Sequence, residues 1–157
     1  MGLFRDDGIK RLNVCLFEVS DRITSDVADV IEAALDQIAI ANHAPSFKDT
    51  ELSVVRRNAS GKILAGVTGK TSWNWLFVDT LWVEEPLRGQ GVGSALMKAA
   101  EDEAVRRGCV GAYLWTQPFY APGFYAKAGY SPFCTIDDLP VGHQRIGMMK
   151  KFVGGRV

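Results

Sequence analysis

The sequence has no excess of charge of either sign, few cysteines and no long apolar run, and each shortage removes a class of function. Among 157 residues, 18 basic side chains balance 18 acidic ones. No net field therefore draws the chain to nucleic acid or to an anionic membrane, and any anion it binds must be held by local geometry. Cys15, Cys109 and Cys134 are odd in number, far apart and outside any C-x-x-C pair, so reduced thiols fit them better than a disulfide framework or a zinc site, and no metal is expected. The apolar runs are too short to span a bilayer, and the charged start "MGLFRDDGIKRLN" has no apolar core for secretion. Gly2 suggests myristoylation, but that pattern wants Ser or Thr where Asp6 stands. The expectation is a cytoplasmic protein with neither a membrane nor a nucleic-acid partner.

Nothing in the chain marks a boundary: there is no repeat, no low-complexity tract and no linker, so residues 1–157 read as a single domain. "NVCLFEVS" (13–20) reads as a first strand. A helix follows, with Thr24 or Ser25 as N-cap, Asp26 and Asp29 in its first turn, and Val27, Val30, Ile31, Leu35 and Ile38 on one face. "ELSVVRRN" and "KILAGVTGK" flank a tight turn in which Gly61 takes positive φ. "NWLFVDTLWV" (74–83) is apolar nearly throughout, as a central strand covered on both faces would be.

A second helix is expected from about Val92 to Arg107, with Leu96, Ala99 and Ala100 inward and Gly108 as the C′ residue. "CVGAYLWTQ" is another strand, "APGFYAKAG" a short helix closed by Gly129, and "SPFCTI" and "HQRIGMMKKF" a final strand pair. Strands that meander first and then interleave with helices argue for an α/β (α+β) fold built on a mixed sheet covered by helices.

The segment "EEPLRGQGVGSALM" places Gly89, Gly91 and Gly93 between strand and helix. A helix N-terminus leaves its first amides unpaired and carries partial positive charge, so it is suited to a phosphate. Arg88 adds a charge and Ser94 a hydroxyl. Three spaced glycines also suit a plain turn. Two phosphate signatures fail on spacing. A dinucleotide fingerprint needs G-x-G-x-x-G after a first strand, and here G-x-G-x-G lies in mid-chain. A Walker-type loop at "GVTGKT" (66–71) would need a glycine where Leu64 stands, so that stretch reads as a hairpin between strands.

The run "LWVEEPLRGQGVGSALM", with Val83 five residues before Arg88 and then R-x-x-G-x-G through Gly91 to Gly93, resembles the acetyl-CoA signature of the GNAT superfamily of N-acyltransferases. "APGFYAKAGY" (121–130) resembles that superfamily's A-x-x-F-Y-x-x-x-G-F/Y helix, at the usual distance downstream. The resemblance implies a single mixed, mostly antiparallel sheet of six to seven strands, with helices on both faces and a splay between the fourth and fifth strands. It implies acetyl-CoA as co-substrate, with the backbone of Leu81, Trp82 and Val83 beside the pantetheine arm. The loop Arg88, Gly89, Gln90, Gly91, Val92, Gly93 and Ser94 would cradle the pyrophosphate.

Tyr125 matches the family tyrosine that acts as general acid toward the thioester sulfur; packing of the short helix is the alternative. Glu84, Asp79 and His143 are the candidates for a general base, beside a water relay with no dedicated base. The usual Asn seven residues before the tyrosine is Pro118 here, which puts that cofactor contact in doubt, with Gln117 and Tyr120 as substitutes. Trp73, Trp75, Trp82 and Trp115 read first as sheet-face residues, with one or two left as candidate walls of an acceptor pocket. The implied reaction is transfer to an amine, a small molecule ahead of a protein acceptor, by direct attack in a ternary complex. A CoA-binding module without turnover remains the alternative, and the resemblance allows a homodimer through the last strands or helices.

Overall fold

The computed structural model describes residues 10–12 and 17–153. Gly2, Cys15 and the first four residues of the expected first strand lie outside the described residues. The chain divides into two units, Met1–Ser46 and Phe47–Val157.

In the first unit, strands β1 (Lys10–Leu12) and β2 (Phe17–Val19) pair antiparallel, and helix α1 spans Ser25–Ala41. Thr24 has the extended backbone of an N-cap residue. A hydrogen bond from the Thr24 side chain holds the Asp26 carboxyl below its ordinary pKa, in a first turn where negative charge is favoured. At the other end Asn42 Nδ2 donates to the Ile38 carbonyl at 2.8 Å, which satisfies one of the orphan acceptors.

The second unit is built on six strands: β3 (Thr50–Arg57), β4 (Ile63–Ser72), β5 (Trp75–Val83), β6 (Gly111–Thr116), β7 (Ser131–Asp137) and β8 (Gln144–Lys151). They run in the order β3-β4-β5-β6-β8-β7. Every neighbouring pair is antiparallel except β5 and β6. This is the mixed, mostly antiparallel open sheet with flanking helices that the sequence led us to expect.

Local chemistry sets the turns. Between β3 and β4, Asn58 Oδ1 accepts the amides of Ser60 at 3.1 Å and Lys62 at 2.9 Å, and Gly61 takes φ +85°. Between β4 and β5 the turn falls on Trp73 and Asn74, both left-handed, at φ +45° and +61°. Such a two-residue turn matches the twist of the flanking strands. The expected hairpin at "GVTGKT" is therefore corrected: residues 66–71 lie inside β4. Gly69 is there for close approach, since a Cβ on it would sit 2.2 Å from the Phe77 carbonyl oxygen.

That approach marks an irregularity in β5. Its register with β4 passes from Thr68↔Thr80 to Gly69↔Val78, so Asp79 is one residue more than β4 can match. A bulge of this kind bends its strand and increases the local twist. Side-chain parity changes across it: Leu76 and Val78 are buried before it, and Leu81 and Val83 pack on the core after it. Parallel pairing with β6 runs from Trp75↔Gly111 to Val78↔Leu114 and stops there. Beyond that point β5 and β6 part, which is the expected splay between the fourth and fifth strands, with β2 counted as the first.

Helix α2 (Val92–Arg106) buries Val92, Leu96, Met97, Ala100 and Ala104. Ala99, expected inward, is exposed, because the buried stripe steps by four and its second row falls on Met97. Ala100 and Ala104, both fully buried, let the helix lie close to the sheet, where Leu76, Leu114 and Val67 complete the core. Each such large side chain contributes roughly 1.5–3 kcal/mol by leaving water. α2 ends in a Schellman motif: the Gly108 amide donates to the Val105 carbonyl and the Cys109 amide to that of Ala104, each at 2.9 Å. Cys109 is buried, and burial pushes its thiol pKa up, which makes it a packing residue rather than a nucleophile.

Replacing Gly69 by Ala sets a methyl group against the Phe77 carbonyl at the bulge. We expect a loss of about 3 kcal/mol in urea denaturation, far more than an exposed strand glycine-to-alanine change would give. A loss under 1 kcal/mol would show that the bulge does not depend on that approach.

Candidate functional site

The divergence of β5 from β6 leaves one strand edge without a partner. The Glu84 amide donates to the Leu64 carbonyl at 2.9 Å, toward β4. Backbone groups alternate sides along a strand; Trp82 therefore also faces β4, and the peptide groups of Leu81 and Val83 face the gap. The Val83 carbonyl there accepts Arg88 Nε at 3.0 Å, a bond that folds the arginine back across the turn. Gln90 Nε2 donates to the Pro86 carbonyl at 2.7 Å and pins the same turn from the other end.

That turn delivers the chain to α2 through glycines. Gly89 and Gly91 have φ +73° and +78°, with nothing within 4 Å of a Cβ built on either. Their role is conformational, since a side chain in the left-handed region costs about 1–2 kcal/mol. Gly93 has an ordinary helical backbone, and its Cβ would meet Phe124 Cζ at 3.3 Å and Val83 Cγ2 at 3.7 Å. It is small so that α2 can lie against those two side chains.

The N-terminus of α2 has no side-chain cap and no acidic residue in its first turn. The first intrahelical bond runs from the Ala95 amide to the Gly91 carbonyl at 3.0 Å. The amides of Val92, Gly93 and Ser94 precede it and have no helical acceptor, so they present donors at the positive end of the helix dipole. A cleft of about 550 Å³ lies against them.

Its walls are Leu81, Val83 and Leu87, then Arg88, Gly89, Gly91, Val92, Gly93 and Ser94, and on the far side Tyr120, Ala121, Phe124 and Tyr125. Of the expected cofactor residues, Trp82 and Gln90 do not line it: the Trp82 ring stands half-exposed on the alternate side of the strand, and Gln90 borders a smaller hollow beside Arg56. Leu87, Ala121 and Phe124 are cleft residues with no role assigned from sequence, although Ala121 and Phe124 fill the A and F positions of the second motif. Ala121 holds φ +52° immediately before Pro122. Left-handed alanine is a strained backbone of the kind that gathers at functional sites.

Tyr125 sits on α3 (Pro122–Lys127), which also closes in a Schellman motif, with the Tyr130 amide donating to the Tyr125 carbonyl at 3.0 Å. The Tyr125 ring packs edge-on against Phe124 and Tyr130, at 5.1 and 6.1 Å between centroids. Tyr130, 2% exposed, donates its hydroxyl to Glu101 Oε1 at 3.0 Å, and Lys150 Nζ donates to Glu101 Oε2 at 2.6 Å. α2, α3 and β8 are thus tied together behind Tyr125. Burial raises the Tyr125 pKa above that of a free phenol, so at neutral pH it carries its proton into the cleft. Burial, and next the neighbouring Glu101 carboxylate, raise that of Tyr130.

The base candidates separate. Glu84 Oε1 pairs with Lys62 Nζ at 2.7 Å, and its side chain is not in the cleft wall. His143 packs edge-on against Phe119 at 5.3 Å, and Phe119 against Tyr120 at 4.7 Å, so it reaches the cleft only through that aromatic pair. Asp79 is the bulged residue at the apex of the splay, where it lines a second, open hollow with Glu51, Lys70 and Phe77. Gln117 and Tyr120 bound the loop that follows β6: the Tyr120 amide donates to the Gln117 carbonyl at 2.9 Å, and Thr116 Oγ1 donates to the Tyr120 carbonyl at 3.3 Å. Among the described residues, no group of three or more His, Cys, Asp or Glu side chains is placed to hold a metal ion, and no helix is long and apolar enough to cross a membrane.

A family model described as the acetyltransferase (GNAT) family matches residues 20–130. An acetyltransferase of Agrobacterium fabrum is 33% identical over 134 residues, 83% of this chain and 98% of that protein. A blasticidin-S acetyltransferase of Streptomyces morookaense is 43% identical over 83 residues, which cover 52% of this chain and 61% of that protein. The crystal structure of an acetyltransferase from Bacillus cereus superposes with a TM-score of 0.74 at 32% identity, covering 85% of this chain and 97% of that one.

The half-buried phenol of Tyr125 and the buried one of Tyr130 keep their protons past the ordinary tyrosine pKa of 10.0. The stability this gives is present in full below that value and is lost as pH rises through the higher folded values. Ultraviolet difference titration of the folded protein should show two late-ionising tyrosines, with Tyr125→Phe and Tyr130→Phe each removing one. Ionisation of all tyrosines near pH 10 would contradict the burial.

Proposed function

The chain belongs to the GNAT acetyltransferase family, and on that premise we propose that it transfers an acetyl group from acetyl-CoA to the amine of a small molecule by direct attack in a ternary complex. One observation carries the reading: a single cleft contains the unpaired edge of β5, the uncapped amides of α2 and the proton-bearing phenol of Tyr125.

Each part fits one portion of the co-substrate. The Leu81 and Val83 peptide groups suit the amides of a pantetheine arm, which completes the sheet as a strand would. The amides of Val92, Gly93 and Ser94 suit a pyrophosphate, with Arg88 as the nearby cation. The apolar walls of Leu81, Leu87 and Phe124 exclude water from the arm between them. When bound, acetyl-CoA supplies an activated acetyl thioester.

The protein's own contribution is then positioning and proton movement. Tyr125 Oη donates its proton toward the departing sulfur. A positioned acid of this kind is worth about 10²- to 10⁴-fold, or roughly 3 to 5 kcal/mol. Asp79 is the proton acceptor we favour, reached through water. It stands at the apex of the splay, on the sheet face opposite α2, whereas Glu84 is held by Lys62 and His143 lies behind Phe119. The likeness to a blasticidin-S acetyltransferase supports a small-molecule amine over a protein acceptor.

Acetyl-CoA at a hundred times its Kd should stabilise the protein by about 2.7 kcal/mol in thermal unfolding, with ATP and NAD without effect. Thiol release across a panel of amines distinguishes an enzyme from a CoA-binding module. Tyr125→Phe should lower kcat by roughly 10²-fold or more while leaving the affinity for CoA unchanged; wild-type turnover in that variant would remove the acid assignment. Asp79→Asn should lower kcat/KM by about 10²-fold at neutral pH and recover in part as pH rises and the free amine becomes abundant. An unchanged pH profile would return the base to solvent.

A further inference from the structure

On the sheet face opposite α2, Arg145 has no ion-pair partner among the described residues. Ala112, Leu114 and Thr116 of β6 are buried toward α2, so Tyr113 and Trp115 stand on the other side, where Tyr113 packs on Phe77 and Trp115 on Phe133. Arg145 of β8 lies over the Trp115 ring, with its guanidinium carbon 5.2 Å from the ring centroid. Its Nε is buried and makes no hydrogen bond, and among the described residues no carboxylate forms an ion pair with it.

A buried N–H of a charged group without an acceptor is costly, and native structures rarely leave one without a reason. The Trp115 ring attracts the guanidinium but satisfies none of its N–H groups as the lone pairs of the water it replaces would. A planar fork of donors held on an aromatic face is suited to a planar, two-oxygen anion. Its location says which molecule would bring that anion. Trp115 is the first β6 residue past the last β5–β6 pair, Val78↔Leu114, so the platform borders the splay. α2 packs on the opposite face of the gap, and an acceptor that enters from this one meets the platform.

We propose that Arg145, stacked on Trp115, binds a carboxylate of the acceptor, and that the acceptor is therefore an amine that also carries a carboxylate. The proposal rests on the acetyltransferase reading for the word acceptor, but not for the binding of the anion.

The test uses pairs of ω-amino acids and their carboxamides, such as 6-aminohexanoate and 6-aminohexanamide, in which the carboxyl group is too far from the amine to alter its basicity. With the wild-type protein and acetyl-CoA, the carboxylate member should show a KM roughly 10- to 100-fold lower, the range for a hydrogen-bonded ion. Arg145→Met, which keeps the stem over Trp115, should abolish the preference. Arg145→Lys should keep only part of it, and the affinity for CoA should be unchanged in both. The ¹⁵N–¹H resonance of Arg145 Nε in the wild-type protein gives a readout independent of any variant's folding, and should move with 6-aminohexanoate and not with the carboxamide. Equal KM values for the pair, a preference that survives in Arg145→Met, or an Nε resonance indifferent to the carboxylate would each overturn the proposal. Transfer without preference would sink this inference and leave the acetyltransferase reading standing; a shifted Nε resonance without transfer to any amine would do the reverse.

Discussion

One extra residue in β5 governs the site. Asp79 has no partner on β4, and the bulge that accommodates it turns the end of β5 away from β6. Without the bulge, parallel pairing past Val78 would continue and the peptide groups of Leu81 and Val83 would be consumed by the sheet. With it, two backbone rows face a gap, and the side-chain parity that brings Leu81 and Val83 onto the core is reset at the same step. The bulge in turn needs Gly69, the residue whose missing side chain makes room for the Phe77 carbonyl.

The α2 N-terminus and α3 are then placed on the two sides of that opening by hydrogen bonds and helix ends. Arg88 Nε and Gln90 Nε2 donate to the Val83 and Pro86 carbonyls, which fixes where α2 begins. The Tyr130, Glu101 and Lys150 network holds α3 to α2 and β8, and the Schellman motif makes Tyr130 the neighbour that packs on Tyr125. Tyr125 therefore owes its position to the end of its own helix, and its retained proton to the burial that position imposes.

The two faces of the sheet have different work. The α2 face is aliphatic and closed, with Leu76, Met97 and Leu114 fully buried, and it supplies the stability that lets the strands diverge. The opposite face is aromatic, with Phe77, Tyr113, Trp115 and Phe133 in contact pairs and polar groups set among them. Rings offer large, rigid contact at little conformational cost.

The sequence by itself determined most of the elements and the family they belong to. Gly61, Gly108 and Gly129 marked the turn and the helix ends, because only glycine takes positive φ at little cost, and all three do so in the structure. The spacing of Val83, Arg88, Gly91 and Gly93, with Tyr125 downstream, pointed to the family, because glycines at fixed places in a strand-to-helix turn are a pattern that sequence alone displays. Tertiary structure alone decided the rest. "GVTGKT" has turn-like composition but lies within a strand, since the reason for Gly69 is a carbonyl on another strand. Asp79 is indistinguishable in sequence from any exposed strand acid until register shows it to be the extra residue. Trp82 and Gln90 belong to the motif yet do not line the cleft, and Arg145 reads as an ordinary strand arginine until Trp115 lies beneath it and its buried Nε has no hydrogen-bond partner among the described residues. Each of these depends on a contact between residues far apart in the chain, and local composition holds no trace of such a contact.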